Sequence, residues 1–144
     1  MMKKLKYISF GGVILLGIIY FFYWNYLPPR TPYKIARIQT GLNLSGSLKV
    51  KEFKDEWSFN GDGFILIVFE LDFEQLEKIY NEIKIKKYQE LPIDDRFRGT
   101  FLYKDGLLTE ADIGYYKYKE FERGFTLTIL NNTKKTLIVL KNIY

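Results

Sequence analysis

The longest uncharged segment of the chain constrains its fold most. Residues 7–27 read YISFGGVILLGIIYFFYWNYL and contain no charged side chain. As a helix rising about 1.5 Å per residue, this segment would extend roughly 31 Å, which matches the hydrocarbon core of a bilayer. Aromatic residues, which favour the headgroup region, lie at both of its ends: Tyr7, then Tyr20, Tyr23, Trp24 and Tyr26. The sequence therefore predicts a transmembrane signal-anchor helix over 7–27.

The flanks of this segment predict how it sits in the membrane. Lys3, Lys4 and Lys6 precede it, as in a signal peptide or a signal-anchor. Cleavage needs small residues before the cut, and residues 18–26 contain none, so we expect the anchor to be retained, with cleavage as the alternative. The early lysines favour a cytoplasmic tail over 1–6 and an exported C-terminal domain.

Prolines follow the apolar segment. Pro28, Pro29 and Pro32 cannot continue a helix interior and favour extended backbone. We therefore expect a proline-rich linker over 28–32 and a separate domain over 33–144, exported to the outer side of the cell membrane.

Composition excludes several kinds of chemistry. The chain has no cysteine and no histidine, which removes disulfides, thiolate zinc sites, cysteine nucleophiles and the imidazole general base. Of the 22 basic residues, three precede residue 7, leaving 19 against 17 acidic ones in the rest of the chain. This near balance is unlike the basic surplus of a nucleic-acid-binding domain. We predict no catalytic residue, cofactor site, metal site or nucleic-acid partner.

Apolar periodicity predicts one main helix after residue 71. Asp72 can cap it, Gln75 can complete a capping box, and Leu71 with Leu76 can form a hydrophobic staple. Apolar residues then recur at helical spacing, which predicts a buried face and a helix ending near residue 88. That face is expected to contain Phe73, Leu76, Ile79, Tyr80 and Ile83.

The remaining apolar runs have the character of strands. Residues 64–69 are continuously apolar and follow the turn sequence Asn60-Gly61-Asp62-Gly63, which predicts a central strand buried on both faces. Residues 125–129 alternate, so Thr126 and Thr128 are expected to be exposed. Residues 48–57, 115–121 and 136–140 are further strand candidates, with a turn at 131–135. This order predicts an α+β domain, a mostly antiparallel sheet packed against one main helix.

Five residues are candidates for contacting a ligand or partner. Asp62, Asp94 and Asp95 lie in predicted loops, where functional side chains often occur, although a tight turn at Asp62 and solvated loop charge at the other two explain them better. Tyr116 and Tyr118 fall on one face of a predicted strand between lysines, a pattern that can stack a ligand but also fits ordinary strand alternation.

The segment 53–91 carries a resemblance. With WSFNGDG ahead of an apolar strand and LDFEQLEKIYNEIKIKKYQELP after it, it resembles small membrane-attached envelope proteins of low-GC Gram-positive bacteria, a group without an assigned activity. Those proteins carry a lipidated cysteine where this chain has an apolar segment. The resemblance implies an envelope location and no particular reaction.

These observations favour one functional class over two others. We expect a membrane-anchored, non-enzymatic binding protein of the envelope, of the accessory or immunity type, that contacts a protein partner. One alternative is a carboxylate-based hydrolase of envelope material, which needs two acids held about 5–10 Å apart across a cleft. The other is a structural subunit of a membrane complex that associates through its anchor.

Overall fold

The computed structural model describes residues 12–22 and 31–144. Residues 12–22 are helical and form α1, and all of them are exposed. The tail 1–6 and residues 28–30 of the expected linker lie outside the described residues, as do the two ends of the expected span over 7–27. In the part of the chain that the structure describes, no helix is long and apolar enough to cross a bilayer.

Helix α2 spans Pro32–Thr40. Its cap is Thr31, whose hydroxyl accepts a hydrogen bond from the Lys34 amide at 3.3 Å. Pro32 stands at the first helical position, where its fixed φ suits the helix and its missing N–H costs nothing. The expectation that Pro32 ends an extended linker is therefore wrong. Gly41 stops the helix in the left-handed region, at φ 64°.

Six strands in the described residues form one antiparallel sheet, which confirms the α+β class. In sheet order they are β1 Lys49–Trp57, β2 Gly63–Glu70, β6 Thr136–Ile143, β5 Gly124–Asn131, β4 Gly114–Phe121 and β3 Gln89–Glu90. Three hairpins provide much of this order, because β1 and β2, β4 and β5, and β5 and β6 are joined by short turns.

Helix α3 spans Phe73–Ile85 and has the predicted capping box. The Gln75 amide donates to Asp72 Oδ1 at 2.8 Å, and the Asp72 amide donates to Gln75 Oε1 at 3.0 Å. Ile83 is fully buried as expected, but Phe73 is 66% exposed. Phe73 is the first residue of the helix, so its side chain lies beyond the edge of the face that packs on the sheet. The helix ends three residues before the expected position.

Both faces of the sheet are covered, so the prediction of one main covering helix is incomplete. On the first face, α2 and α3 pack over β2, β5 and β6. The second face is covered by segment 91–108, which contains a 3-10 helix, Asp95–Phe97, and the short helix α4, Phe101–Lys104. Thr126 and Thr128, expected to be exposed, are buried under the first cover. Strand alternation predicts exposure only where one face of the sheet is open.

The two ends of the sheet differ. At the end we call the Tyr33 end, the Tyr33 hydroxyl donates to the Leu48 carbonyl at 2.7 Å, and the Tyr33 ring lies 5.6 Å from that of Phe69. At the opposite end, called the Gly63 end, Gly63 pairs with Trp57 and Ile143. Eight strand residues at about 3.3 Å each separate the two ends by roughly 26 Å. Helix α2, the first element of the domain, therefore begins far from the Gly63 end.

Candidate binding site

The three candidate aspartates are engaged in short local pairs. Asp62, in the β1–β2 turn, accepts a hydrogen bond from the side-chain Nδ2 of Asn60 at 2.7 Å, and its carboxylate lies 3.6 Å from the Arg123 guanidinium. Asp94 caps the 3-10 helix through the Arg96 amide at 3.0 Å and is 3.3 Å from the same residue's guanidinium. Asp95 pairs with Arg98 at 2.9 Å. None of the three lines the cavity of about 550 Å³ at the Gly63 end.

The carboxylates of the described residues form no metal centre. Among residues 12–22 and 31–144, no group of three or more Asp or Glu side chains is placed to hold a metal ion. Asp62 and Glu56 border an open depression of about 380 Å³ at the Gly63 end.

The candidate tyrosines lie on one face of β4, as predicted. Tyr116 and Tyr118 are half-buried against the cluster under segment 91–108, while Lys117 and Lys119 are exposed on the other face. Of these two tyrosines, only Tyr118 lines the cavity that opens at the Gly63 end. Tyr116 lies closer to the Tyr33 end and pairs with Gln89 of β3.

A cavity of about 550 Å³ opens on the second face at the Gly63 end. The floor of the cavity is one row of four residues that lie directly opposite one another on four adjacent strands. The row consists of Phe64, Asn142, Phe125 and Glu120. The next row contributes Leu140 and Tyr118. Pockets of roughly 300–1,000 Å³ with apolar walls and a few polar groups are the usual size for ligand sites.

Segment 91–108 supplies the wall, and its local structure holds the wall in place. The Asp94 cap starts the 3-10 helix, and the Thr100 hydroxyl donates to the Phe97 carbonyl at 2.6 Å. Leu102 of α4 is fully buried, and its carbonyl accepts a hydrogen bond from the Leu108 amide at 2.7 Å. These contacts place the side chains that line the cavity, namely Arg96, Phe97, Thr100 and Phe101.

Aromatic rings pack against one another around the cavity. Phe97, Tyr118 and Phe125 form a triangle with centroid separations of 5.5–5.8 Å. Phe64 and Phe101 meet edge to face at 5.5 Å on the opposite side. Such pairs add about 0.5–1.5 kcal/mol each beyond area burial. We expect the cavity to be preformed, so that a ligand entering it would lose little free energy to ordering of the site.

The polar groups of the cavity are few and placed at its rim. The Arg96 guanidinium lies 4.5 Å over the Tyr118 ring, a cation–π contact. Burial raises the pKa of the Tyr118 hydroxyl above its usual value, and nearby Glu120 acts in the same direction. The hydroxyl therefore stays neutral at physiological pH and can donate a hydrogen bond. Glu120 is the one acidic side chain among the lining residues.

Comparison with known proteins found no matching family model, no similar curated protein and no similar solved structure. The geometry of the cavity is therefore the basis for assigning a site.

Sequence reasoning found only Tyr118 among the residues that line this cavity. Two signals pointed to the others. The segment 97–103 reads FRGTFLY, an aromatic density unusual for a loop. Strand alternation also places Phe64 and Phe125 on the same face as the buried residues Leu66 and Leu127. Neither signal predicts that the two segments meet, because the contact depends on where segment 91–108 packs.

Proposed function

We propose that this protein is a membrane-anchored, non-enzymatic binding protein of the cell envelope, and that its domain takes part of a protein partner into the aromatic cavity at the Gly63 end. The cavity carries this proposal. It combines the volume, aromatic walls and sparse polar rim that are typical of binding sites rather than of surface irregularities.

Sequence and exposure support the anchor. The uncharged segment over 7–27 is long enough to span a bilayer as a helix. Nine large apolar or aromatic residues of α1 are each about half exposed or more, from Val13 at 68% to Ile14 and Ile18 at 49%. A contiguous exposed apolar surface of this kind is typical of contact with lipid or with another protein. The basic tail over 1–6 supports an exported domain.

The position of the cavity fits an anchored binding protein. Helix α2 begins near the Tyr33 end, about 26 Å along the strands from the Gly63 end. A domain tethered through α2 would present its cavity at the end of the sheet away from the tether. The resemblance of segment 53–91 to membrane-attached envelope proteins agrees with this arrangement.

Two other functions remain as alternatives with less support. A carboxylate hydrolase needs a pair of acids across a cleft. Glu120 is the single acidic side chain that lines the cavity, and the pair Glu56 and Asp62 borders an open depression rather than a cleft. A structural subunit would associate through its anchor, and no feature of the domain favours that function over binding.

The anchor is tested on membranes from cells that express the full chain. We expect the protein to resist carbonate extraction and to keep its full-length mass. A soluble species beginning near residue 30 would show that the segment is a cleaved signal. Protease accessibility of the domain in intact spheroplasts, with a cytoplasmic protein as control, tests the orientation. Protection of the domain would contradict it.

The cavity is tested by NMR titration of the full-length chain in nanodiscs. Analogues of protein side chains, namely indole, p-cresol and toluene, are added to the wild type and to Asn142→Trp, which fills the floor of the cavity. We expect shift changes at Tyr118 and Phe125 that the substitution removes. Lys141→Trp is the matched control, because residue 141 lies on the opposite face of the same strand. Equal binding by all three proteins would refute the cavity as the site.

A further inference from the structure

Strand β4 is paired on its outer side along only part of its length. Its partner there, β3, has two residues, Gln89 and Glu90, which pair with Tyr116 and Tyr115. Tyr88 comes next and lies beside Lys117, whose ammonium group is 5.5 Å from the Tyr88 ring. Beyond this point, residues 118–121 have no strand neighbour on the outer side within the described part of the chain. This four-residue stretch is an open sheet edge.

Two hydrogen bonds show which backbone groups point outward from β4. The Ile113 carbonyl accepts from Asn132, on the β5 side, at 2.8 Å. The next carbonyl, that of Gly114, accepts from Leu91, on the β3 side, at 3.0 Å. Because direction alternates along a strand, the N–H and C=O groups of Tyr118 and Glu120 face the open edge. In the described residues these groups form no backbone hydrogen bond with any turn or loop.

The same two residues line the cavity. The side chains of Tyr118 and Glu120 stand at its rim, so the open backbone groups and the cavity lie side by side. In an antiparallel pair, directly opposite residues point to the same face. A strand added to this edge would therefore place the residues opposite Tyr118 and Glu120 beside the cavity. It would place the residue opposite Lys119 on the other face.

We propose that an extended segment of a partner protein adds to β4 as an antiparallel strand and carries the order basic, acidic, aromatic. The basic residue lies opposite Glu120, the acidic residue opposite Lys119, and the aromatic residue opposite Tyr118 at the mouth of the cavity. The exposed charges of β4 set this order, since opposite charges on facing residues stabilise a strand pair and like charges weaken it. The inference rests on the proposed function and names the partner's chemistry.

A second copy of this chain fits the edge poorly. A two-fold pairing of β4 with itself about residue 119 would set Lys119 against Lys119, and like charges directly opposite are destabilising. The same lysine could attract anionic lipid, but lipid would not satisfy the row of backbone donors and acceptors that the edge presents.

The test uses the full-length chain in nanodiscs and a synthetic nine-residue peptide with a central Lys-Glu-Phe flanked by threonine and valine. We expect amide exchange at Tyr118 and Glu120 to slow at least tenfold on binding, with little change along β1, the other exposed edge. A peptide of the same composition in scrambled order should bind about fivefold or more weakly. Equal binding of the scrambled peptide, or no binding of either, would overturn the proposal.

Backbone methylation distinguishes strand addition from simple side-chain contact. N-methylation of the peptide's lysine and phenylalanine blocks the amides that face β4, whereas methylation of the glutamate amide blocks one that faces away. We expect the first change to weaken binding about fivefold or more and the second to have little effect. Equal effects of the two changes would contradict strand addition.

Variants of the protein complete the test. Glu120→Pro removes an outward N–H without touching the β4–β5 ladder, a position where edge strands tolerate proline. Its loss of affinity should exceed that of Glu120→Ala, which removes the side chain alone. Lys119→Glu should weaken binding of the Lys-Glu-Phe peptide. The same variant should bind a peptide with lysine in place of the glutamate about as tightly as the wild type binds the original. Failure of this charge exchange would overturn the assigned order.

Two further outcomes separate this inference from its alternatives. If the side-chain analogues bind the cavity but the peptide leaves the Tyr118 and Glu120 amides unprotected, strand addition is wrong while the cavity remains a binding site. If these amides become protected without peptide, in anionic nanodiscs or in a dimer seen by sedimentation, a lipid or a second copy is the occupant and the proposal is wrong.

Discussion

Replacing Asp112 tests how the loops are held at the Tyr33 end. One carboxylate oxygen of Asp112 accepts from the Thr109 amide at 2.8 Å and from the Asn131 side chain at 2.7 Å, and lies 3.4 Å from the Lys134 ammonium. Asn131 is fully buried. Asp112→Ala leaves two donors without an acceptor, at about 1–3 kcal/mol each. We therefore expect a loss of about 2–6 kcal/mol in the free energy of unfolding, and a smaller loss for Asp112→Asn, which keeps an acceptor.

The same residue predicts a pH dependence with a definite sign. Burial by itself would raise the pKa of Asp112, but hydrogen bonds from Thr109 and Asn131, helped by the charge of Lys134, hold it below its usual value of 3.8. The unfolded chain therefore binds this proton more readily than the folded one. The stabilisation is complete above the unfolded pKa and is lost as pH falls through the lower, folded pKa.

Thermal unfolding of the wild type and Asp112→Asn between pH 7 and pH 2.5 measures both effects. One kcal/mol shifts the midpoint of a domain of this size by about 4 °C. The gap between the two midpoints should be constant from pH 7 to about 5 and should narrow below pH 4. A difference between the two midpoints that persists unchanged to pH 2.5 would refute the ionised state of Asp112. If Asp112→Ala were as stable as the wild type at pH 7, the structural role of Asp112 would be refuted.

Three other predictions concern folding. Residues 31–144, expressed without the preceding segment, should fold and give the same amide spectrum as the full chain, and a disordered spectrum would contradict an independent domain. Ile83→Ala should lower the free energy of unfolding by about 2–5 kcal/mol, and Leu76→Ala should lower it by less because Leu76 is half-buried. Denaturant titrations measure both losses, and equal values would contradict this difference. Gly114→Ala should cost at least about 1–3 kcal/mol, since its added carbon would lie 1.9 Å from the Leu130 carbonyl oxygen. Gly99→Ala, with open space around it, is the control and should leave the melting temperature unchanged.

Local signals in the sequence were sufficient for much of the domain. The capping box of Asp72 and Gln75 involves residues three apart, and so it forms as expected wherever helix α3 packs. The Asp62-Gly63 turn and the turn before Thr136 likewise depend on neighbours in the chain, and both hairpins occur as predicted. These features require no knowledge of distant residues.

Other features depend on contacts between distant segments, and the sequence did not predict them. Thr126 and Thr128 alternate with apolar residues as they would on an exposed face, and they are buried because α2 and α3 lie over that face. Pro32 could begin a helix or continue a linker, and its place in α2 follows from packing of Ile35 and Ala36 on the sheet.

The candidate site shows the same division most clearly. The sequence alone determined that the chain lacks cysteine and histidine, carries a long uncharged segment and alternates tyrosine with lysine in β4. Only the tertiary structure decided that Phe97 and Phe101 lie over Phe125 and Phe64 to enclose a cavity. The physical reason is range: caps and turns are set by neighbours a few residues apart, whereas a cavity forms where segments distant in sequence are brought together by the packing of the whole core.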